Sequence, residues 1–515
     1  MTGPLTRAEL PADVNLATYF VDRNVTEGRG DRTALVCDGA STTYAQLAVL
    51  VNRIGNVLRE LGVRPGDRIL IAASDSVEWV ATWYAAQKIG AVTAEVYTFL
   101  QPKDYAYFLD YVDPKVVVVD GTTLANVREA SSNRRLLVLG DHELVGDDHS
   151  FDAMVGAAPD TLDPAPVGPE TEAVWKFTTG STGAPKACVH PAGTPIVSYH
   201  AYARGVLDID ENDLVLPVPK LFFGYARDLT ALYPFGVGGA GIVFGERSTP
   251  ERLFELIAAH RPTILVSVPT MMAAMVAHPS AAEQDLSCLR LTTSAGEALP
   301  AELHRKWDKA FGVPVVDGIG SSEAYHIYVS NRPGQARPGT LGRVVPGYTA
   351  RVVDDTGAER PVGELGPLAV TGPTVALRYH GDPEKSAATY HGDTVLSSDL
   401  FECDAEGYLS YRGRADDLLK VGGIWVAPSE IEHCLIGHDD VVDCAVLGYE
   451  VDGLTRPRAY VVVRDGATVT PKELQDYARA KLAGHKYPRE VVFVDELPRT
   501  SNGKLDRRAL RGLVS

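Results

Sequence analysis

The run Thr178-Thr179-Gly180-Ser181-Thr182-Gly183-Ala184-Pro185-Lys186 gathers two glycines, four hydroxyls and a cation into nine residues. Glycine lets backbone N–H groups approach an anion closely, hydroxyls add donors, and the Lys186 ammonium supplies charge, so a polyphosphate is the natural guest. The run is not a Walker loop, which needs Gly immediately before its Lys, where Pro185 stands here. A polar Ser/Thr loop without a ligand is the plainer alternative. Gly236, Gly238 and Gly241 fit GxGxxG, but strand-like IVFG follows where a dinucleotide site opens a helix. These glycines read as packing or turn positions.

Other acids and lysines along the chain, taken singly, read as surface or capping groups. Their order says more. After the phosphate loop come DGIGSSEAYHIYVSN (Asp317 to Asn331), SDLFECDAEGYLSYRGRADDLLKVGGIWVAPSEIE (Ser398 to Glu432) and PRTSNGKLDRRAL (Pro498 to Leu510). In order and spacing, from roughly Asn15 to Leu510, the chain resembles the adenylate-forming superfamily of acyl-CoA synthetases, peptide-synthetase adenylation domains and luciferases. Within it, KLFFGYA (Lys220 to Ala226), TSAGEALP (Thr293 to Pro300) and GIGSSEAYHIYVSNRPG (Gly318 to Gly334) are most similar to benzoate-CoA ligases.

The resemblance implies ATP, Mg2+ and coenzyme A as co-reactants, and it implies roles for individual residues. Glu323 matches the magnesium-associated glutamate, and a single oxygen ligand suits a cation that keeps most of its waters. Ser322, where most relatives carry Thr, donates to the α-phosphate. Asp399 accepts from both ribose hydroxyls, although the usual TGD reads Ser397-Ser398-Asp399 here. Gly296, Glu297, Ala298, Asp317 and Gly318 line the adenine, where small residues permit close backbone approach. Arg414 lies near the ribose and phosphates, and Asp416 is the hinge between domains. Lys504 bridges carboxylate and phosphate oxygens during adenylation. Lys420 reaches the adenylate once the small domain has rotated, and Gly422 and Gly423 line the passage for the pantetheine arm.

On the same resemblance Phe223, Gly224 and Tyr225 form one wall of the acyl pocket, and Gly320, His326 and Ile327 the other. Aromatic and aliphatic walls suit a flat ring. Benzoate ligases often have Ala where Gly224 stands, so the missing methyl makes room for a hydroxyl, amino or methyl substituent. Tyr225 and His326 either hydrogen-bond such a substituent or are core groups with satisfied polar ends. The implied reaction is ATP-dependent activation of benzoate or a substituted benzoate to an acyl-adenylate, then transfer to coenzyme A with release of AMP and diphosphate. Loading of a carrier protein, and a silent nucleotide-binding paralogue, are the rival readings.

These residues must be held by a large scaffold. RILIAA, KVVVVD, LLVLG, TILVSV and PVVDGIG read as buried strands, and Thr43 to Gly62 carries Leu47, Leu50, Val51, Ile54 and Leu58 at helical spacing. Such alternation predicts an α/β fold of largely parallel sheets covered by helices. Thr349 to Tyr411, rich in Gly/Asp turns, predicts a smaller antiparallel, barrel-like subdomain. A compact α+β pattern then follows, giving an N-terminal domain over 1–415 and a small mobile C-terminal domain over 416–515.

The 515 residues exceed a single ordinary core, and 45% hydrophobic with 23% charged residues is an ordinary globular balance. A formal charge of −18 disfavours nucleic acid as a partner. Six scattered cysteines suggest neither a disulfide framework nor a zinc site. The absence of a leader pattern or a long apolar run makes a cytoplasmic protein without membrane insertion the expectation, with a homodimer compatible.

Overall fold

The computed structural model describes residues 4–131, 134–178, 184–414, 419–421, 424–451, 454–464, 466–484, 486–499 and 505–512. Two mainly parallel sheets form the large domain. One has nine strands, ordered Arg343–Val344, Ile327–Ser330, Val315–Gly320, Leu291–Ser294, Ile264–Ser267, Leu214–Pro217, Ala240–Val243, Thr33–Cys37 and Ala40–Thr43. The other has eight, ordered Arg378–Tyr379, Lys186–Pro191, Glu172–Thr178, Val92–Glu95, Arg68–Ala72, Val116–Val119, Leu136–Val138 and His149–Ser150. Strands buried on both faces need apolar residues throughout, and all four valines of Val116–Val119 are fully buried.

The helix expected over Thr43 to Gly62 is Tyr44–Glu60. Thr43 is its cap: the hydroxyl accepts from Gln46 N, and the Gln46 side chain accepts in return from Thr43 N. Leu47, Val51, Ile54 and Leu58 are buried as their spacing predicts, while Leu50 is only half-buried. The glycines of the GxGxxG run open no helix. A Cβ at Gly241 would lie 2.2 Å from the Thr230 carbonyl oxygen, and Gly238 has a φ of +82°, so close packing and a turn explain them.

An antiparallel five-stranded sheet, Thr349–Val352, Gly366–Thr371, Thr394–Cys403, Tyr390–His391 and Leu409–Arg414, occupies the turn-rich segment. The small C-terminal domain has a hairpin, Leu419–Val421 with Ile424–Val426, and a three-stranded sheet of Val441–Val451, Leu454–Val463 and Glu490–Phe493. Helices Pro428–Ile436 and Pro471–Lys481 cover it around its own apolar core. All six cysteines are free, and no helix among the described residues is long and apolar enough to cross a membrane.

Candidate active site

Three strands deliver the sequence motifs to one region by their carboxyl ends. Glu172–Thr178 leads into the phosphate loop, Leu291–Ser294 into Gly296 to Ala298, and Val315–Gly320 into Ser321 to Glu323. The mouth beyond the carboxyl ends of parallel strands is where open α/β sheets bind ligands. Thr179, Gly180, Ser181, Thr182 and Gly183 lie outside the described residues, but both ends of their loop are fixed. Lys186–Pro191 returns antiparallel with Thr178 opposite Lys186.

Lys186 Nζ stands 3.0 Å from Asp382 Oδ2, while Asp382 Oδ1 caps helix Pro383–Thr389 by accepting from Lys385 N. The hydrogen bond from Lys186 holds the Asp382 carboxyl below its ordinary range. Strand Arg378–Tyr379 pairs with the returning strand and lets the Tyr379 hydroxyl donate to Glu323 Oε1 at 2.8 Å. Glu323 is half-buried, and among the described residues no group of three or more His, Cys, Asp or Glu could hold a metal. A cation at Glu323 would therefore have at most two such side chains among the described residues and take its remaining oxygens from phosphate and water, a donor set that fits Mg2+. Ser322 Oγ donates to the Phe177 carbonyl at 3.1 Å, placing its hydroxyl against the strand that enters the phosphate loop.

Of the adenine segments, Gly296 has a φ of +87°, a conformation that favours glycine, and nothing lies within 4 Å of its missing Cβ. Glu297 accepts from Thr270 N at 2.9 Å and Thr270 Oγ1 at 2.6 Å, and Ala298 beside it is half-buried. Gly318 has a different reason from the open nucleotide approach expected of it. A Cβ there would meet the Val329 carbonyl oxygen at 2.7 Å, so the neighbouring strand demands glycine. Asp317 is buried, its carboxyl pushed up to about 8 by loss of hydration, with Oδ1 unpartnered.

Asp399 and Arg414 are register partners in paired strands. The Ser397-Ser398-Asp399 variant is accommodated within a continuous strand, Asp399 N donating to Ser397 Oγ at 2.9 Å. Lys420 sits in the hairpin opposite Trp425. Asp416, Gly422, Gly423 and Lys504 lie outside the described residues. Arg499, five residues before Lys504 in the sequence, is 2.7 Å from Asp443 and 3.9 Å from Glu297, and Lys306 Nζ donates to the Ile436 carbonyl at 3.2 Å. The contacts Arg499–Glu297 and Lys306–Ile436 join the C-terminal domain to the large domain.

On the acyl side, Phe223, Gly224 and Tyr225 are half-buried at the start of helix Gly224–Ala231, and Gly320 pairs with Ile327. The Tyr225 hydroxyl donates to Thr293 Oγ1 at 2.6 Å, so its polar end is satisfied within the protein. His326 differs. Burial depresses it to about 3, leaving it neutral; Nε2 faces the Tyr225 carbonyl at 3.4 Å and buried Nδ1 has no partner.

Residues 21–380 match the family model described as AMP-binding enzyme, and residues 430–504 match the AMP-binding enzyme C-terminal domain. The chain belongs to the AMP-binding enzymes. It is 39% identical to a benzoate–CoA ligase of Thauera aromatica, over 98% of this chain and 97% of that one. With a 4-hydroxybenzoate–CoA/benzoate–CoA ligase of Rhodopseudomonas palustris it shares 34% identity, over 98% and 94% of the two chains. Among solved structures, the anthranilate CoA ligase AuaEII in complex with anthranoyl-AMP superposes with a TM-score of 0.95 at 34% identity, covering 99% of each chain. A benzoate CoA ligase from Burkholderia xenovorans LB400 gives 0.88 at 36%, over 96% and 99%.

In this AMP-binding enzyme sequence reasoning missed four buried charges beneath the acyl wall. Lys176 Nζ contacts Asp228 Oδ2 and the Tyr325 carbonyl oxygen, each at 2.7 Å. Arg227 lies 2.8 Å from Asp228 and 3.0 Å from Glu95, which accepts from Trp83 Nε1 at 2.6 Å. None of the four residues exceeds 6% exposure. Burial drags the Lys176 ammonium down to about 8. Burial alone would raise the Asp228 carboxyl, but the charges of Arg227 and Lys176 prevail and bring it below its ordinary value. The available signal was a lysine inside the apolar strand run Ala173 to Phe177, where a charge needs a partner. Tyr379 and Asp382 were missed as well, because their contacts to Glu323 and Lys186 cross long stretches of chain.

Proposed function

We propose that this chain activates an aromatic carboxylic acid with ATP, forming an acyl-adenylate, and transfers the acyl group to coenzyme A with release of AMP and diphosphate. The observation that carries this reading is the full-length likeness to benzoate–CoA ligases, joined to a TM-score of 0.95 with a ligase holding an aryl-adenylate. The geometry supports it: the strand ends that flank the phosphate motif, the Glu323 carboxylate with its Tyr379 donor, and a half-buried aromatic wall all belong to the described part of the large domain.

In the first step the substrate carboxylate attacks the α-phosphorus and diphosphate leaves. The phosphate hairpin and Lys186 bind the polyphosphate, Ser322 donates to the α-phosphate, and Asp399 with Arg414 holds the ribose. Lys504 neutralises charge on the pentacovalent phosphorus. Glu323, oriented by Tyr379, would hold Mg2+, which when bound draws charge from phosphate oxygens. In the second step the C-terminal domain turns about Asp416, bringing Lys420, Gly422 and Gly423 to the adenylate for attack by the thiol of coenzyme A. The division at 415/416 belongs to this reading.

A screen for diphosphate release over aryl acids, with and without coenzyme A, tests it. The expected result is ATP- and aryl-acid-dependent release that becomes sustained, with thioester formed, when coenzyme A is added. Absence of release and of diphosphate exchange into ATP with every aryl acid would refute it; release sustained by a pantetheinylated carrier protein alone would move the second step to the carrier.

A further inference from the structure

Four charges are buried behind the acyl wall without a role in either half-reaction. They are not explained by stability, because well-packed apolar residues of the same volume hold a fold at least as well. Their place points elsewhere. Gly224 is half-buried on the wall, and Lys176 lies directly beneath it: a Cβ at Gly224 would stand 2.6 Å from Lys176 Nζ and Cε. The volume freed by glycine therefore adjoins an ammonium, where the sequence had suggested open room for a substituent.

An ammonium has three N–H donors. Two go to Asp228 Oδ2 and the Tyr325 carbonyl. Tyr325 adopts a φ of +73°, uncommon for a residue with a side chain, and its carbonyl is a lysine acceptor there. The third donor has the Tyr325 ring, whose centroid is 3.5 Å from Nζ, and the backbone of Gly224 as its surroundings. A ring face is a weak acceptor, and an oxygen atom arriving past Gly224 is a better one.

We propose that Lys176 determines the ring substituent of the acid, its ammonium donating past Gly224 to a neutral hydroxyl on the aryl ring. The proposal rests on the aryl-acid reading above. Two further facts select a hydroxyl. Glu95 and Asp228 already balance Lys176 and Arg227, so a second carboxylate on the ring would bring an uncompensated charge into the interior. His326, neutral and facing the Tyr225 carbonyl through Nε2, leaves Nδ1 as an unpartnered acceptor. A hydroxyl both accepts and donates, which matches a donor-only ammonium and a bare imidazole nitrogen; an aniline nitrogen is a poor acceptor, and a methyl is neither.

The test compares kcat/KM for the three hydroxybenzoates with the three methylbenzoates in the full chain, for wild type, Lys176→Met and Gly224→Ala. In wild type one hydroxy isomer is expected to exceed the methyl isomer of the same position by about 100-fold or more. Lys176→Met brings that ratio to within about threefold, because the donor is gone. Gly224→Ala, which sets a methyl against the ammonium, lowers it by about tenfold. A wild type without hydroxyl preference, or a ratio unchanged in Lys176→Met, overturns the proposal. Should Lys176→Met not be recovered folded, an unchanged ratio in Gly224→Ala does the same. Absence of diphosphate release with any aryl acid would instead remove the aryl-acid reading itself.

Discussion

The two sides of the site handle charge in opposite ways. On the nucleotide side Lys186 pairs with Asp382, and Glu323 accepts from the hydroxyl of buried Tyr379; Lys186, Asp382 and Glu323 are themselves partly open to solvent, where a ligand can replace these contacts. Beneath the acyl wall Glu95, Arg227, Asp228 and Lys176 are shut away from water and contact one another in series. Exposed pairs are weak because water screens them, so they can be surrendered to phosphate and cation. Buried pairs cannot be surrendered, since a partner left alone keeps its charge in a medium that solvates it poorly.

Breaking the buried set tests this contrast most severely. Asp228→Asn should lower the unfolding free energy of the large domain by about 3–5 kcal/mol, read from its denaturant transition. Replacing all four together, with Glu95→Gln, Lys176→Met, Arg227→Leu and Asp228→Leu, should recover most of that loss. If the single change costs no more than a surface substitution, the contrast is wrong.

Lys504→Ala should reduce diphosphate release from acid and ATP by about 10²- to 10³-fold while sparing thioester formation from a pre-made acyl-adenylate. Equal loss in both assays would defeat the separation of the two steps.

Asp317 sharpens the comparison from the adenine side, being the buried, unpaired acid there. Its folded value near 8 stands above the ordinary 3.8, so between those limits the native state keeps a proton that the unfolded chain has released. Its contribution to stability is therefore favourable at low pH and falls as pH rises from about 4 to about 8. Asp317→Asn should flatten that part of the stability profile in thermal scans; an unaltered slope would mean that the carboxyl is ionised in the fold.

Tyr379→Phe should raise the magnesium concentration needed for half-maximal diphosphate release by about 2- to 10-fold, as expected for one hydrogen bond to a carboxylate. The smallest effect belongs to Asp382→Asn, which keeps a competent helix cap while removing the ion pair. It should leave the unfolding midpoint in place, and a large drop would show that the exposed pair is structural.

Much of this was legible in the chain. The apolar strand runs lie where their composition put them, since a strand covered on both faces can contain little else. Ser322, next to Glu323, lies against the strand that leads to the phosphate motif, as the order of the motifs implied. The acyl floor was illegible for a physical reason: Lys176 and Asp228 are 52 positions apart, and nothing local announces that their charges cancel. Gly224 was read as empty space because a missing methyl says nothing about what fills the volume behind it. Asp317 and Gly318 were read as lining the adenine, and nothing local announced that Asp317 is buried or that a Cβ at Gly318 would meet the Val329 carbonyl of the next strand.

Arg227 and Asp228 sit on helix Gly224–Ala231, which packs on strands of the nine-stranded sheet, while Glu95 and Lys176 come from adjacent strands of the other. Any one replacement among the four strands a charge between two sheets, so intermediates on a path of single mutations are less fit than either end. If Lys176 sets the ring substituent, as proposed above, a change of substrate at this floor requires its three charge partners to change with it.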